Sequence, residues 1–443
     1  MGSRDPYGFP LMKKILLFTF LFLLCSSSLL ARVYIVIDEP SEKKFPIAIT
    51  DLILLGENKD KEKWVSSLPH VLKKDLTLSG LFEIMESDIF PERDHYNVAP
   101  DRVQFSAWSL IGAQGLVKGS LEYANDRIIV ELYLYDPFLG QKLVGRRYVA
   151  QPEEMRIVAH HFADEIMEVL TGERGIFSTK ITFVSDATRN KEIYVMDIDG
   201  ENHSRLTRDR SITLHPSWSP TGRWIAYTSF SNTGYPEIYV IDMKDKTQTR
   251  LTGNQTSNLS PTWKPGTNLI TMASSRTQDT ELYLIDLKGK IVSQLTRSFG
   301  IDLAPSWAPD GSAFAFASER AGRLHIFRAD ADGGNVRRLT FVGYHNDRPA
   351  WSPKGDKIVF QGRDQGAWDL FIMNTDGSNI QRLTAGQGNN ESPYWAPNGR
   401  YIVYSSNQTG RNLIYIMKSD GSNQLAISAP GNCTQPSWSP YFK

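Results

Sequence analysis

Cysteine is nearly missing from this chain, since Cys25 and Cys433 are the two in 443 residues. That scarcity excludes a disulfide framework, a cysteine-rich zinc site and a dithiol redox centre. An excess of either charge is missing too. The 49 Lys and Arg residues balance the 49 Asp and Glu residues, so no long-range field is available to recruit nucleic acid or anionic lipid, and a nucleic-acid partner is not expected. The longest apolar run near the start, Ile15 to Leu24, is too short to span a bilayer, so the protein is not expected to be embedded in a membrane. Sequence signatures of catalysis are also lacking. There is no Gly-x-Ser-x-Gly nucleophile elbow, no His-Glu-x-x-His pair and no P-loop.

The apolar run belongs to an export signal. Residues 1–11 precede a second methionine, Met12, and have the character of vector-derived sequence or of a misplaced start. From Met12, Lys13 and Lys14 form a basic start, Ile15 to Leu24 an apolar stretch, and Ser26, Ser27, Ser28 and Ala31 a small-residue cleavage region, so residues 12–31 are expected to be removed ahead of Arg32. A lipoprotein signal centred on Cys25 is the alternative, and the large Leu24 before it argues against that processing.

A repeat dominates the rest of the chain. Pro-x-Trp-x-Pro occurs six times, centred on Trp218, Trp263, Trp307, Trp351, Trp395 and Trp438, at spacings of 45, 44, 44, 44 and 43 residues. Strand-like runs recur in phase with it, such as Ile225-Ala226-Tyr227 and Ile238-Tyr239-Val240, and each unit ends near a Leu-Thr pair such as Leu251-Thr252 or Leu295-Thr296. Four short strands in about 44 residues make one blade of a β-propeller. Helical repeats of similar length would need two apolar helical stripes per unit, and these segments alternate at period two. The array also has complementary ends. Ile181–Val184, Ile193–Val195 and Leu206-Thr207 supply three strands without a first, whereas Pro436–Pro440 supplies a first strand with nothing after it. The expected fold is therefore a small N-terminal α/β sandwich over residues 32–172, followed by a six-bladed β-propeller over 173–443 that is closed by the C-terminal strand.

Within the first region, Phe45 to Leu55 is expected as a strand, and Trp64, Leu68, Val71, Leu72 and Leu76 at helical spacing predict a helix stopped at Gly80, with Pro69 weakening its first turn. Phe105, Trp108 and Ile111 predict a short helix. Strands are expected over 115–123, 127–136 and 141–150, and a last helix from Pro152 to Thr171 capped by Gly172. His160 and His161, adjacent on that helix, are expected to point to different sides, one packing and one solvated, rather than to form a metal pair; no metal or cofactor is expected. The six repeated tryptophans are expected to be scaffold, wedged between blades. What differs among blades is the loop entering each Pro-x-Trp-x-Pro element: Asp209–His215, Gly253–Ser260, Ser298–Ala304, Phe341–Arg348, Gly386–Ser392 and Ala429–Gln435. These loops converge at the channel mouth and suit a partner-binding surface.

An exported chain with a small α/β domain ahead of Pro-x-Trp-Ser-Pro blades resembles the TolB family, periplasmic components of the Tol-Pal envelope system. Arg32–Asp38 is similar to the family's extreme N-terminal segment. Arg156, His160 and Asp164-Glu165 through Leu170-Thr171-Gly172 are similar to its interdomain helix, and Pro436–Tyr441 is similar to its C-terminus. The resemblance implies a periplasmic, monomeric, non-enzymatic protein that binds Pal, the peptidoglycan-associated lipoprotein, at the propeller mouth. It also implies that the N-terminal segment Arg32, Val33, Tyr34, Ile35, Val36, Ile37 and Asp38 reaches TolA by strand addition, in support of outer-membrane integrity and cell division. Mouth residues expected to meet Pal are His215, Asn258, Ser260, Asp302, Leu303, Asn346, Asp347, Arg348, Asn390 and Glu391, and charge reversal at Asp347 or Glu391 is expected to weaken binding. Two rival classes stay open: a propeller lyase or glycosidase using Asp302, Asp347 or Glu391 as an acid/base pair, and a binder of cell-wall glycan.

Overall fold

The computed structural model describes residues 44–56, 63–91 and 102–442, apart from 232–233, 254, 364–365, 387 and 428, together with the isolated residues 2, 35 and 98. The expected leader, 12–31, and all of the expected TolA segment except Ile35 lie outside the described residues.

The N-terminal region is one sheet with helices. Strand β1 (Phe45–Ile49) runs parallel to β3 (Phe82–Ile84) and to β4 (Gly115–Ala124), and β2 (Ile53–Leu55) also runs parallel to β4. Strands β5 (Arg127–Asp136) and β6 (Gln141–Ala150) complete an antiparallel meander with β4. Alternation in β5 buries Ile128, Val130, Leu132 and Leu134 completely. The single strand expected over Phe45–Leu55 is split because the Leu52 N–H leaves the sheet to donate to Val65 O, at 3.0 Å. That bond also explains how helix α1 (Lys63–Ser79) tolerates Pro69. Proline has no N–H for the carbonyl four residues back, and that carbonyl is Val65, which Leu52 satisfies instead. Helix α2 (Phe105–Leu110) buries Trp108, and α3 (Met155–Thr171) packs on α1 and β6, ending at Gly172 with φ +75°.

Six four-stranded blades follow. Their innermost strands are Thr213–Trp218, Asn258–Trp263, Asp302–Trp307, His345–Trp351, Asn390–Trp395 and Cys433–Trp438, in blades 1 to 6. The sixth blade is composite, as the sequence ends foretold. Cys433–Trp438 pairs with β7 (Lys180–Ser185), which is followed by β8 (Glu192–Asp197) and β9 (Ser204–Arg205), and Trp438 lies opposite Ile181. Ser437 O accepts from Thr182 Oγ1 at 3.2 Å, and Lys180 O accepts the Ser439 N–H at 2.8 Å, so the two chain ends clasp each other.

The Leu-Thr repeat has a physical cause. In five blades the threonine hydroxyl accepts the backbone N–H of the second residue of the third strand, at 2.9–3.0 Å: Thr207 from Ile193, Thr252 from Ile238, Thr296 from Leu282, Thr340 from Ile326 and Thr384 from Leu370. The same hydroxyl donates to a buried carboxylate in three of them, Glu192, Glu281 and Asp369. The tryptophans are buried in the scaffold. Trp263 Nε1 donates to Ser217 O, Trp307 Nε1 to Thr271 Oγ1 and Trp395 Nε1 to Ala350 O, each on the preceding blade.

Candidate functional site: the propeller mouth

Every innermost strand is interrupted, three residues before its tryptophan, by a residue with left-handed backbone: His215, Ser260, Ala304, Arg348, Ser392 and Gln435, with φ between 49° and 55°. Each is followed by the first proline of the repeat, and at each the register with the second strand slips. Such bulges are costly for side-chain-bearing residues and need support. Side-chain amides supply it in two blades: Gln435 Oε1 accepts the His215 N–H and Gln361 Oε1 accepts the Ser392 N–H, both at 2.8 Å. The six bulges form a ring around a cavity of about 390 Å³ walled by the repeat prolines.

Arg348 spans this ring. Its guanidinium donates to His215 Nε2 at 2.8 Å, joining blade 4 to blade 1 on the opposite side of the channel. Burial, then the charges of Arg348 and Lys191, hold the His215 pKa well below its usual value. The imidazole is therefore neutral, accepts through Nε2 and carries its proton on Nδ1. Asp347 Oδ1 accepts the Arg348 backbone N–H at 2.6 Å. Glu391, half-buried, has its pKa raised by burial, with Arg348 opposing and Asp347 adding to the rise.

The expected mouth residues divide into two sets. His215, Ser260 and Arg348 line the ring, and Leu303, Asp347 and Glu391 are half-buried just before it. Asn258, Asp302, Asn346 and Asn390 are instead buried inside the blades. Asn258 Oδ1 accepts from Ser274 Oγ at 2.7 Å, Asp302 Oδ2 from Arg320 at 2.8 Å, Asn346 Nδ2 donates to Val342 O at 2.9 Å, and Asn390 Nδ2 faces Asp369 Oδ1 at 3.3 Å. They brace the entry loops rather than face a partner. Sequence reasoning also missed three ring members, Ala304, Ser392 and Gln435; the signal was available, since each immediately precedes the first proline of its repeat.

A second polar cluster ties the N-terminal region to the propeller. Helix α3 buries His160 and leaves His161 exposed, as expected, but His160 is more than packing. Its Nδ1 meets Asp75 Oδ2 of α1 at 2.7 Å and its Nε2 lies 3.5 Å from Asp197 Oδ2 in blade 6. Arg156 reaches Asp199 at 2.5 Å, and Lys180 reaches Asp197 at 2.6 Å. Burial acts to lower the His160 pKa, but Asp75 and Asp197 outweigh it and push it up to about 10. Burial pushes Asp75 up to about 6 against the pull of His160, while His160 and Lys180 overcome burial to hold Asp197 well below the usual range. Ligand atoms of Asp75, His160 and Asp199 fall within 4.8 Å of one another, yet Arg156 and Lys74 already neutralise Asp199 and the imidazole keeps its proton. The cluster is an ion network suited to holding two domains together. Tyr401 Oη to Ser79 O at 3.0 Å, Asn423 Nδ2 to Leu78 O at 3.1 Å and the Arg400–Glu173 pair extend the contact to blade 5. All these propeller groups sit at the ends of the blades away from the entry loops, so the N-terminal domain occupies the face opposite the mouth.

Comparison with known proteins agrees with this architecture. Residues 167–442 match the model of the TolB β-propeller domain, and residues 33–143 match that of the TolB amino-terminal domain. The Tol-Pal system protein TolB of Syntrophotalea carbinolica is 38% identical over 204 residues, covering 46% of this chain and 47% of that protein. The Geobacter sulfurreducens protein of the same name is 40% identical over 153 residues, 34% of this chain and 35% of its own length. The chain thus spans about half or less of the length of these curated relatives. The crystal structure of TolB from Acinetobacter baumannii superposes with a TM-score of 0.78 at 29% identity, covering 90% of this chain and 98% of that one.

Proposed function

The chain belongs to the TolB family, and from that premise and the geometry of the mouth we propose that it is a periplasmic, non-enzymatic adaptor of the Tol-Pal system, with an exported mature chain of an N-terminal domain (32–172) and a propeller (173–443). Pal docks on the entry-loop face, and the segment Arg32–Asp38 recruits TolA by strand addition. Linking the two would support outer-membrane integrity and cell division.

The observation that carries the proposal is the bridge at the mouth. Arg348 bridges to His215 across the channel, so a charged side chain is held at the centre of the entry face. The acid/base alternative loses its best candidate, because Asp302 is fully buried and bound by Arg320 and Ser298. Asp347 and Glu391 lie just before the bulges of adjacent blades 4 and 5. Titration calorimetry with the soluble domain of Pal tests the face: Asp347→Lys and Glu391→Lys should each weaken binding about tenfold or more, as close charge pairs do in other interfaces, with unchanged melting temperature for Glu391→Lys and a slightly lowered one for Asp347→Lys, which loses the acceptor of the Arg348 N–H. Wild-type affinity in both variants would refute the chosen face. Deleting residues 32–38 should abolish TolA capture and leave Pal binding intact.

A further inference from the structure

The entry-loop face is not uniform. The loops into blades 2, 5 and 6 expose no large apolar residue among those described and that into blade 1 exposes Ile212, whereas those into blades 3 and 4 carry Phe299, Ile301, Phe341, Val342 and Tyr344 in exposed positions. Phe299 and Phe341 are 87% and 72% exposed, an unusual state for phenylalanine unless something covers it. The two loops form one ridge because the blade 3 turn between Ser318 and His325 touches both. Glu319 N–H donates to Ile301 O at 3.0 Å, and Arg323 lies over the Tyr344 ring, 4.2 Å from its centre. Arg338 likewise lies over Phe341, at 5.0 Å. Among the described residues neither arginine forms an ion pair with a carboxylate, although Arg338 Nε donates to Thr340 O at 2.6 Å, so two guanidinium groups flank the aromatic crest.

We infer that this ridge is the anchor of the docking face, and that it fits a protein partner presenting an apolar side chain bordered by carboxylates. Aromatic residues and arginine are the types that dominate binding energy at protein interfaces, and here Tyr344 with Arg323 and Phe341 with Arg338 are already held by their mutual stacking. Acidic groups on the partner would meet Arg323 and Arg338, while the apolar group covers Phe299 and Phe341. The anchor is off-centre, over blades 3 and 4, instead of at the channel axis. This inference rests on the proposal that Pal binds the entry-loop face.

The experiment measures affinity for the soluble domain of Pal with two paired variants, Phe299→Ser/Phe341→Ser and Arg323→Glu/Arg338→Glu. Loss of the aromatic pair should weaken binding by about tenfold to a hundredfold. The charge-reversed pair should bind more weakly, and its association rate should lose the salt dependence seen in wild type. The phenylalanine pair should melt with wild type, because both rings are exposed, and the arginine pair should melt slightly lower, because Arg338 Nε also donates to Thr340 O at 2.6 Å. Wild-type affinity in both pairs, with Asp347→Lys or Glu391→Lys still impaired, would overturn the ridge and leave the mouth proposal standing. Failure of wild type to bind Pal would defeat the mouth proposal and this inference with it. Concentration-dependent dimerisation of wild type, abolished by Phe299→Ser/Phe341→Ser, would show a second copy as the occupant and overturn it too.

Discussion

Replacing His160 with glutamine should loosen the N-terminal domain from the propeller, and the size and pH dependence of the effect follow from the ion network. Asp75 is wholly buried, and its charge is balanced at 2.7 Å by the protonated imidazole. Removing one partner of a buried pair strands the other, at a cost of about 3–5 kcal/mol. Asp197 keeps Lys180 and Asp199 keeps Arg156, so the loss centres on Asp75 and belongs toward the lower end of that range. The sign with pH is fixed by the His160 pKa, which lies at about 10 in the folded protein against 6.5 when exposed. Its contribution is fully present below about pH 6.5 and is lost as pH rises through about 10. Asp75, raised to about 6, adds a penalty that has already built up below neutrality. Between pH 7 and 10 wild type should therefore lose stability with a slope of up to about 1.4 kcal/mol per unit that His160→Gln lacks. Urea unfolding across this pH range gives the slope, and hydrogen exchange shows whether protection falls first at Leu76–Gly80 and Asp197–Glu201. An equal slope in both proteins, or destabilisation below about 1 kcal/mol at pH 7, would refute the role given to the cluster.

Three further outcomes test the scaffold. Deleting Pro436–Lys443 removes the second half of the inner strand of blade 6, Trp438 included, and with it the pairing of Ser437 to Thr182 and Trp438 to Ile181; thermal melting should show the propeller opened or unfolded, and a melting curve like that of the full chain would contradict closure. Thr296→Val leaves the Leu282 N–H and Glu281 without their shared hydroxyl and should cost about 1–3 kcal/mol in denaturant unfolding, whereas a loss under a few tenths would deny the Leu-Thr pair its bracing role. Burial pushes the Cys433 thiol up to about 11, so at pH 8 a peptide containing Cys433 should resist alkylation in the native protein and react after denaturation, as mass mapping would show.

The repeat was legible because scaffold positions recur: one Pro-x-Trp-x-Pro element per blade, and unmatched ends that had to meet. The bulge ring was equally periodic, yet left-handed backbone at a residue such as Arg348 or Gln435 leaves no compositional trace, since glycine is absent there. The Arg348–His215 bridge joins residues 133 positions apart and the His160–Asp75 pair residues 85 apart, contacts that arise only once the ring closes and the helices dock. Polarity misled in one respect. Asn258, Asp302, Asn346 and Asn390 looked like surface residues of the mouth, but they satisfy buried backbone and side-chain groups where the entry loops turn inward.

Hydrogen–deuterium exchange on the full chain with and without the soluble domain of Pal tests the adaptor proposal most directly. Protection should appear in the entry loops, chiefly 298–304 and 341–348, while the turns at 197–201 and 418–423 beneath the N-terminal domain gain none. Protection confined to those opposite turns, or no change at saturating Pal, would contradict it.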